Sequence, residues 1–438
     1  MPPPRLMMDV YEEHLSEAGF LWTRWERCLA SPAVDLTATE AQEERLLAHL
    51  DGLALGGPEV AERLLIPTLE LEAPTEVASA AFALLASGEN GAKHVLERLE
   101  AGKGSALAGI QRALELDDSL APAALLPLLS SSSVDAQAVV LEALVFRRAV
   151  PPSALARFLS HADPRLQGAA LLGLDGRPEE SARKALNAAL DDPHVRVRNA
   201  ALISGLIAGL RRTWDKCQKW AAEPSAAGAQ ARVLLALGGS EQDVTKLVKL
   251  LDIPELRSSA LWALGFSGQV AAAEACLTWM EKDRGTAALA AEAFSAITGL
   301  RLEGTYVGPP REDEAEEPIP LEEEDLDADL VPGPEDALAT PAPDAVVAWW
   351  KEARARFDPG TRYLRGTPFS AQSLLGALRQ EPMRRRGVLA LELAIRSRGQ
   401  FRLEARAFTR RQASELARAL AAPASISPRR FDGLMTQG

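Results

Sequence analysis

Residues 190–202 read Leu190-Asp191-Asp192-Pro193-His194-Val195-Arg196-Val197-Arg198-Asn199-Ala200-Ala201-Leu202. The leucine closes one helix, Asp-Pro turns the chain, and a second helix follows with a polar first turn and apolar residues at helical spacing. Partial copies lie on either side. Leu159-Ser160-His161-Ala162-Asp163-Pro164-Arg165 leads into Ala169-Ala170-Leu171-Leu172, and Leu251-Asp252-Ile253-Pro254-Glu255-Leu256-Arg257 leads into Ala260-Leu261-Trp262-Ala263-Leu264-Gly265.

Aligned on these stretches, a small or slender residue recurs at Ala81, Gly109, Val139, Ala169, Ala200, Ala231, Ala260 and Ala290, at spacings of 28, 30, 30, 31, 31, 29 and 30. A fixed period of this length marks a helical repeat, and two helices of about a dozen residues fit each period. The small residue lets paired helices approach toward the lower end of the usual 8–10 Å range. Leu172, Leu206, Leu237 and Leu264 are expected to fill the space between neighbouring units. The expected architecture is an all-α solenoid of about 8 helical hairpins.

The unit at Asp192 resembles the HEAT family, whose repeat reads Asp-Pro-x-Val-Arg-x-x-Ala-Ala. Asp192, Pro193, Val195, Arg196, Ala200 and Ala201 match it, with one extra residue before the alanines. The resemblance covers about residues 60–300. Because HEAT units usually span about 40–47 residues, these look like the short variety of phycobilin-lyase-like HEAT proteins.

Composition agrees with a helical reading. There are 78 Ala and 67 Leu against 21 Val and 9 Ile, and the first two favour helices whereas β-branched residues favour strands. No stretch approaches the roughly 20 apolar residues of a membrane span, and Met1–Met8 has three prolines without an apolar core. The expectation is therefore a soluble, cytoplasmic protein. Cys28, Cys217 and Cys276 are too scattered for a disulfide framework or a cysteine-rich zinc site.

The net charge of −13 is unevenly spread. Residues 1–307 hold 29 basic and 40 acidic side chains, residues 308–345 hold 1 and 14, and residues 346–438 hold 18 and 7. The middle block is also rich in proline, so it reads as a self-repelling linker. Four regions follow: an N-terminal helical cap over 1–58, the array over 59–304, the acidic linker over 305–344, and a basic, mainly helical module over 345–438.

In the cap, Tyr11, Leu15, Ala18, Trp22, Trp25 and Leu29 mark one helical face, which either caps the first repeat or binds a partner groove. A helix over about Glu40–Leu50 and a glycine-bearing loop Asp51–Gly57 are expected next. The C-terminal module opens with Trp349-Trp350 and continues through Arg362-Tyr363-Leu364-Arg365-Gly366, read as extended, into helices around Ala371–Arg379, Met383–Arg398 and Arg410–Leu420. With the Trp-bearing first helix, the Leu-Asp-Gly-Leu stretch and the acidic linker, this combination also resembles an uncharacterised bacterial HEAT-repeat family associated with type VI secretion loci. That resemblance implies a partner protein: a secretion-system spike, an effector or its chaperone.

Catalytic signals are weak. The five histidines, His14, His49, His94, His161 and His194, show no metal-ligand spacing, and the His-Glu pairs of deoxyhypusine-type HEAT hydroxylases are missing. Gly102-Lys103-Gly104-Ser105 lacks the rest of a phosphate loop, and Gly265-Phe266-Ser267-Gly268 has the wrong spacing for a nucleophile elbow. No catalytic, cofactor or metal residue is expected.

The candidate partner-binding residues are Trp22, Trp25, Arg165, Arg196, Arg198, Arg257, Trp349 and Trp350. Arg384, Arg385, Arg386, Arg396, Arg398, Arg402 and Arg406 form a candidate anion site, masked by the acidic linker until a partner arrives. The expected function is a non-catalytic protein-binding scaffold or adaptor without membrane insertion. The alternatives are a HEAT-type enzyme, either chromophore lyase or DNA-repair glycosylase, and polyanion or nucleic-acid binding through the C-terminal arginines.

Overall fold

The computed structural model describes residues 6–102, 104–309 and 333–436. The chain is all-α. Extended pairing among the described residues is confined to the short strands Tyr363–Leu364 and Thr367–Pro368 and two isolated bridges. No helix among them is long and apolar enough to cross a membrane.

Two compact units emerge. The first comprises residues 1–30, 34–208 and 398–417; the second comprises 31–33, 209–397 and 418–438. The expected boundaries at 58, 304 and 345 do not separate them, because the C-terminal residues are divided between the two.

The first unit opens with helices Met8–Leu29 and Leu36–Leu55, which pack on each other. His14 meets His49 and Trp25 meets Glu43, so the pair is antiparallel. Helix Leu36–Leu55 extends into the expected loop at 51–57 as far as Leu55, since Leu46, Leu50 and Leu53 continue one buried stripe, and the turn is left to Gly56-Gly57. Helices Pro74–Ala86, Ala106–Leu116, Val134–Phe146, Pro164–Leu172 and Val195–Ala208 then stack in chain order, each on the next. In the second unit, Ala226–Gly238, Pro254–Leu264 and Ala287–Thr298 stack in the same way.

The turn chemistry explains where these helices start. Asp163 accepts hydrogen bonds from the Arg165 and Leu166 amides, with Pro164 at the first helical position. Ser240 and Asp243 close a capping box on helix Glu241–Lys249. The recurring small residues are all buried. At Gly109 a Cβ would lie 2.4 Å from the Pro74 carbonyl oxygen, so the backbones of adjacent stacked helices approach too closely for any side chain there.

Two expectations fail locally. The intervening helix is not always a dozen residues long. Pro122 and Pro127 leave only the short turns Pro122–Leu125 and Leu126–Ser130, and Pro151 and Pro152 precede a single turn, Pro152–Ala156. Leu206, Leu237 and Leu264 are buried as expected, but Leu172, in the last turn of its helix, is 38% exposed.

Candidate functional site

The residues expected to bind a partner are for the most part structural. Trp22 and Trp25 are buried, their rings edge-to-face at 6.2 Å. Trp22 meets Phe82 and Trp25 meets Phe408. The Trp25 indole donates to Glu43 at 3.2 Å, and Glu43 also accepts from the Thr409 amide and hydroxyl, each at 2.9 Å. Burial holds the Glu43 carboxyl above its ordinary value, against the pull of these hydrogen bonds. The two tryptophans are thus core residues, and Glu43 fastens residues 398–417 to the first helical pair.

Arg165 and Arg196 converge on one carboxylate, Glu142. Arg165 donates to it in bidentate fashion, at 2.7 and 3.2 Å, and to Gln111 at 2.8 Å; Arg196 reaches the same carboxylate from the next helix. Burial opposes the Arg165 charge, but Glu142 outweighs it and holds the guanidinium above its ordinary value. Four successive stacked helices are joined by this ladder.

Arg198 donates to the carbonyls of Asp192 and Pro193, both at 2.8 Å. Arg257 donates to the Leu251 carbonyl and to Asp283, and lies 4.2 Å over the Trp279 ring. Both brace the turn that precedes their own helix. Trp350 is buried between Phe294 and Phe357, while Trp349 is partly accessible.

The expected anion site is likewise spent inside the fold. Arg384 pairs with Glu335 at 2.9 Å and lies 4.4 Å over Trp262. Arg385 pairs with Glu381 at 3.2 Å and donates to the Gly265 carbonyl, and Arg386 is fully buried. Arg396 donates to Glu392 at 2.7 Å and to the carbonyls of Leu237, Ser427 and Arg429. Arg402 donates to the Leu174 carbonyl at 2.6 Å. Arg398 adopts a positive φ, its carbonyl packed so tightly on Gly176 that a Cβ there would lie 1.8 Å away. Among these residues Arg406 stays exposed, and its carbonyl accepts from Arg112. Of the expected masking segment, residues 305–344, residues 310–332 lie outside the described residues; within the described part, Glu335 pairs with Arg384.

Two concave features stand out among the described residues. The second unit holds a cleft of about 190 Å³ lined by Gly238, Gly239, Gln269, Arg362, Phe369 and Arg396, among others. There Glu392, fully buried, is gripped by Arg362 and Arg396, and both guanidiniums lie over the Phe369 ring, at 4.0 and 4.4 Å from its centre. Burial pulls Arg396 down to about 10, whereas the two arginines hold Glu392 below its ordinary value in spite of burial. The donors on these arginines end on Glu392 and on carbonyl oxygens. The cleft therefore borders a structural joint.

The other feature is an apolar groove of about 420 Å³ in the first unit, lined by Leu6, Met7, Val10, Tyr11, His14, Gly52 and Leu55. Leu55 is 85% exposed and Met7 65%. The Nδ1 atom of His14, which lines the groove, is 3.0 Å from Nδ1 of His49, within hydrogen-bond reach. Burial, and then His14, lower the basicity of His49. Sequence reasoning missed this groove because its residues belong to two helices; the one local signal was Leu55, apolar at a helix end before Gly56-Gly57.

Cys217 and Cys276 are buried, and burial pushes Cys276 up to about 12, so that thiol stays protonated.

No protein-family model matches the sequence, and no curated protein matches it. Among solved structures, the chain is similar to YibA of Escherichia coli at 12% identity, with 67% of this chain and 97% of that one covered and a TM-score of 0.31. It is also similar to an engineered protein at 18% identity, covering 64% of this chain and 87% of that one, again with a TM-score of 0.31.

Proposed function

We propose that the protein is a non-catalytic scaffold that binds another protein through the surface of a short HEAT-like helical array. The observation that carries this reading is the fate of the arginines. Arg384, Arg385, Arg396 and Arg402 end on carboxylates, carbonyls and aromatic rings within the fold, and carboxylates outnumber cations in the chain by 61 to 48. A protein surface with apolar and cationic character suits such a face better than nucleic acid does. Stacked hairpins joined by ladders such as Gln111–Arg165–Glu142–Arg196 supply a rigid support for it. The resemblance to a family at type VI secretion loci supplies the proposed setting, with a spike, an effector or its chaperone as partner.

Affinity capture with the full-length chain from nuclease-treated native lysate, read by mass spectrometry, tests the reading. The expected result is one protein in stoichiometric amount. Recovery of nucleic acid alone from an untreated lysate would overturn it.

A further inference from the structure

The groove at the open end of the first helical pair is the clearest unpartnered surface among the described residues. Three of the exposed large apolar side chains, Met7, Val10 and Leu55, converge on it, and Leu55 is the most exposed of those found. Tyr11 and His14 form its wall, and Gly52 leaves room at its base, since a Cβ there would lie 3.5 Å from the His14 ring. A contiguous apolar patch in a folded chain marks a place where something docks.

The charge around it narrows what that is. Between Leu6 and Arg63 the sequence holds twelve carboxylates against four cationic side chains; five of the carboxylates, Glu26, Asp35, Glu40, Glu43 and Glu44, and three of the cations, Arg24, Arg27 and Arg45, belong to the far end of the helix pair, which leaves seven against one on the side of the groove. Asp9, Glu12, Glu13 and Glu17 are exposed on helix Met8–Leu29, and Asp51 is exposed one residue before Gly52. Of the four cations, Arg63 is already paired with Glu59. A second copy would bring this rim against its own like charge, and an anionic membrane would meet the same repulsion. An apolar stripe flanked by cations would meet attraction at the rim and burial at the floor.

Resting on the scaffold reading, we propose that the groove between the start of helix Met8–Leu29 and the end of helix Leu36–Leu55 docks a basic amphipathic helix of a partner protein. Its apolar face seats on Met7, Val10, Tyr11 and Leu55, and its lysines or arginines meet Asp9, Glu13 and Asp51. This is the helix-in-groove mode, with anchors at i, i+3, i+4 and i+7.

The test uses the full-length protein and two fluorescent synthetic helices about five turns long, one built of Leu and Lys, the other of Leu and Glu, read by anisotropy. The Leu/Lys helix is expected to bind saturably at one per chain, and to weaken with added salt. The Leu/Glu helix is expected to bind about tenfold or more weakly. Leu55→Asp should weaken the Leu/Lys helix by about tenfold, and Leu172→Asp, at an exposed leucine elsewhere in the same unit, should not.

Equal binding of both helices, no saturable binding, or equal loss in both variants would overturn the proposal. So would a wild-type dimer dispersed by Leu55→Asp, which would assign the groove to a second copy. Capture of the same stoichiometric protein by wild type and Leu55→Asp would overturn the groove and leave the scaffold reading standing. Capture of no protein by wild type would overturn the scaffold reading itself.

Discussion

Glu43 shows how a single buried carboxylate ties distant sequence together. Three donors converge on it: the Trp25 indole, the Thr409 amide and the Thr409 hydroxyl. Glu43→Ala leaves all three buried without an acceptor and should cost about 2–3 kcal/mol in denaturant unfolding, whereas Glu43→Gln keeps an acceptor and should cost less than about 1 kcal/mol. The pH dependence has a definite sign. Burial raises the folded-state pKa of Glu43 above its ordinary 4.5, so the folded chain holds this proton more tightly than the unfolded chain does. Between pH 4.5 and neutrality the wild type should therefore lose stability relative to Glu43→Gln as pH rises. A flat or opposite difference between the two unfolding curves would show that ionised Glu43 is welcome in the fold. Nothing at position 43 in the sequence announces this role, because its partner lies 366 residues away.

At the scale of helices, the small-residue positions carry the packing. Gly109→Val drives a side chain into the Pro74 carbonyl and Val77, and should destabilise by about 2 kcal/mol or more through separation of two stacked helices. Gly376, inside helix Ala371–Gln380, has nothing within 4 Å of a built Cβ. Gly376→Ala should therefore stabilise by about 0.5–1 kcal/mol through helix propensity alone. Thermal unfolding of the two variants beside wild type checks both signs.

This level of organisation was the most legible in the sequence. Asp163-Pro164 states where a helix begins, and the 28–31-residue recurrence states where backbones come close. The stripe Leu15, Trp22, Trp25 correctly signalled a buried face; periodicity cannot say against what, and Phe408 proved to be part of the answer. Most of the expected glycine-bearing loop at 51–57 is helix, because Leu50 and Leu53 keep one face buried across Gly52.

For the whole molecule, the separation of charge along the chain suggested a basic module held apart by an acidic linker. Arg396 instead reaches the Leu237 carbonyl 159 residues away, and Arg411 reaches the Phe146 carbonyl 265 residues away. A guanidinium carries five donors that suit backbone carbonyls as well as phosphate, so composition could not tell a cationic surface from an internal brace. The central claim is that these cations hold the fold together and do not face a polyanion. Anisotropy of a labelled DNA duplex with the full-length protein tests it directly. At physiological salt the account predicts no saturable binding tighter than about 10⁻⁴ M, the weak end of non-specific association. Saturable binding in the micromolar range or tighter, falling steeply with salt as several phosphate contacts require, would contradict it.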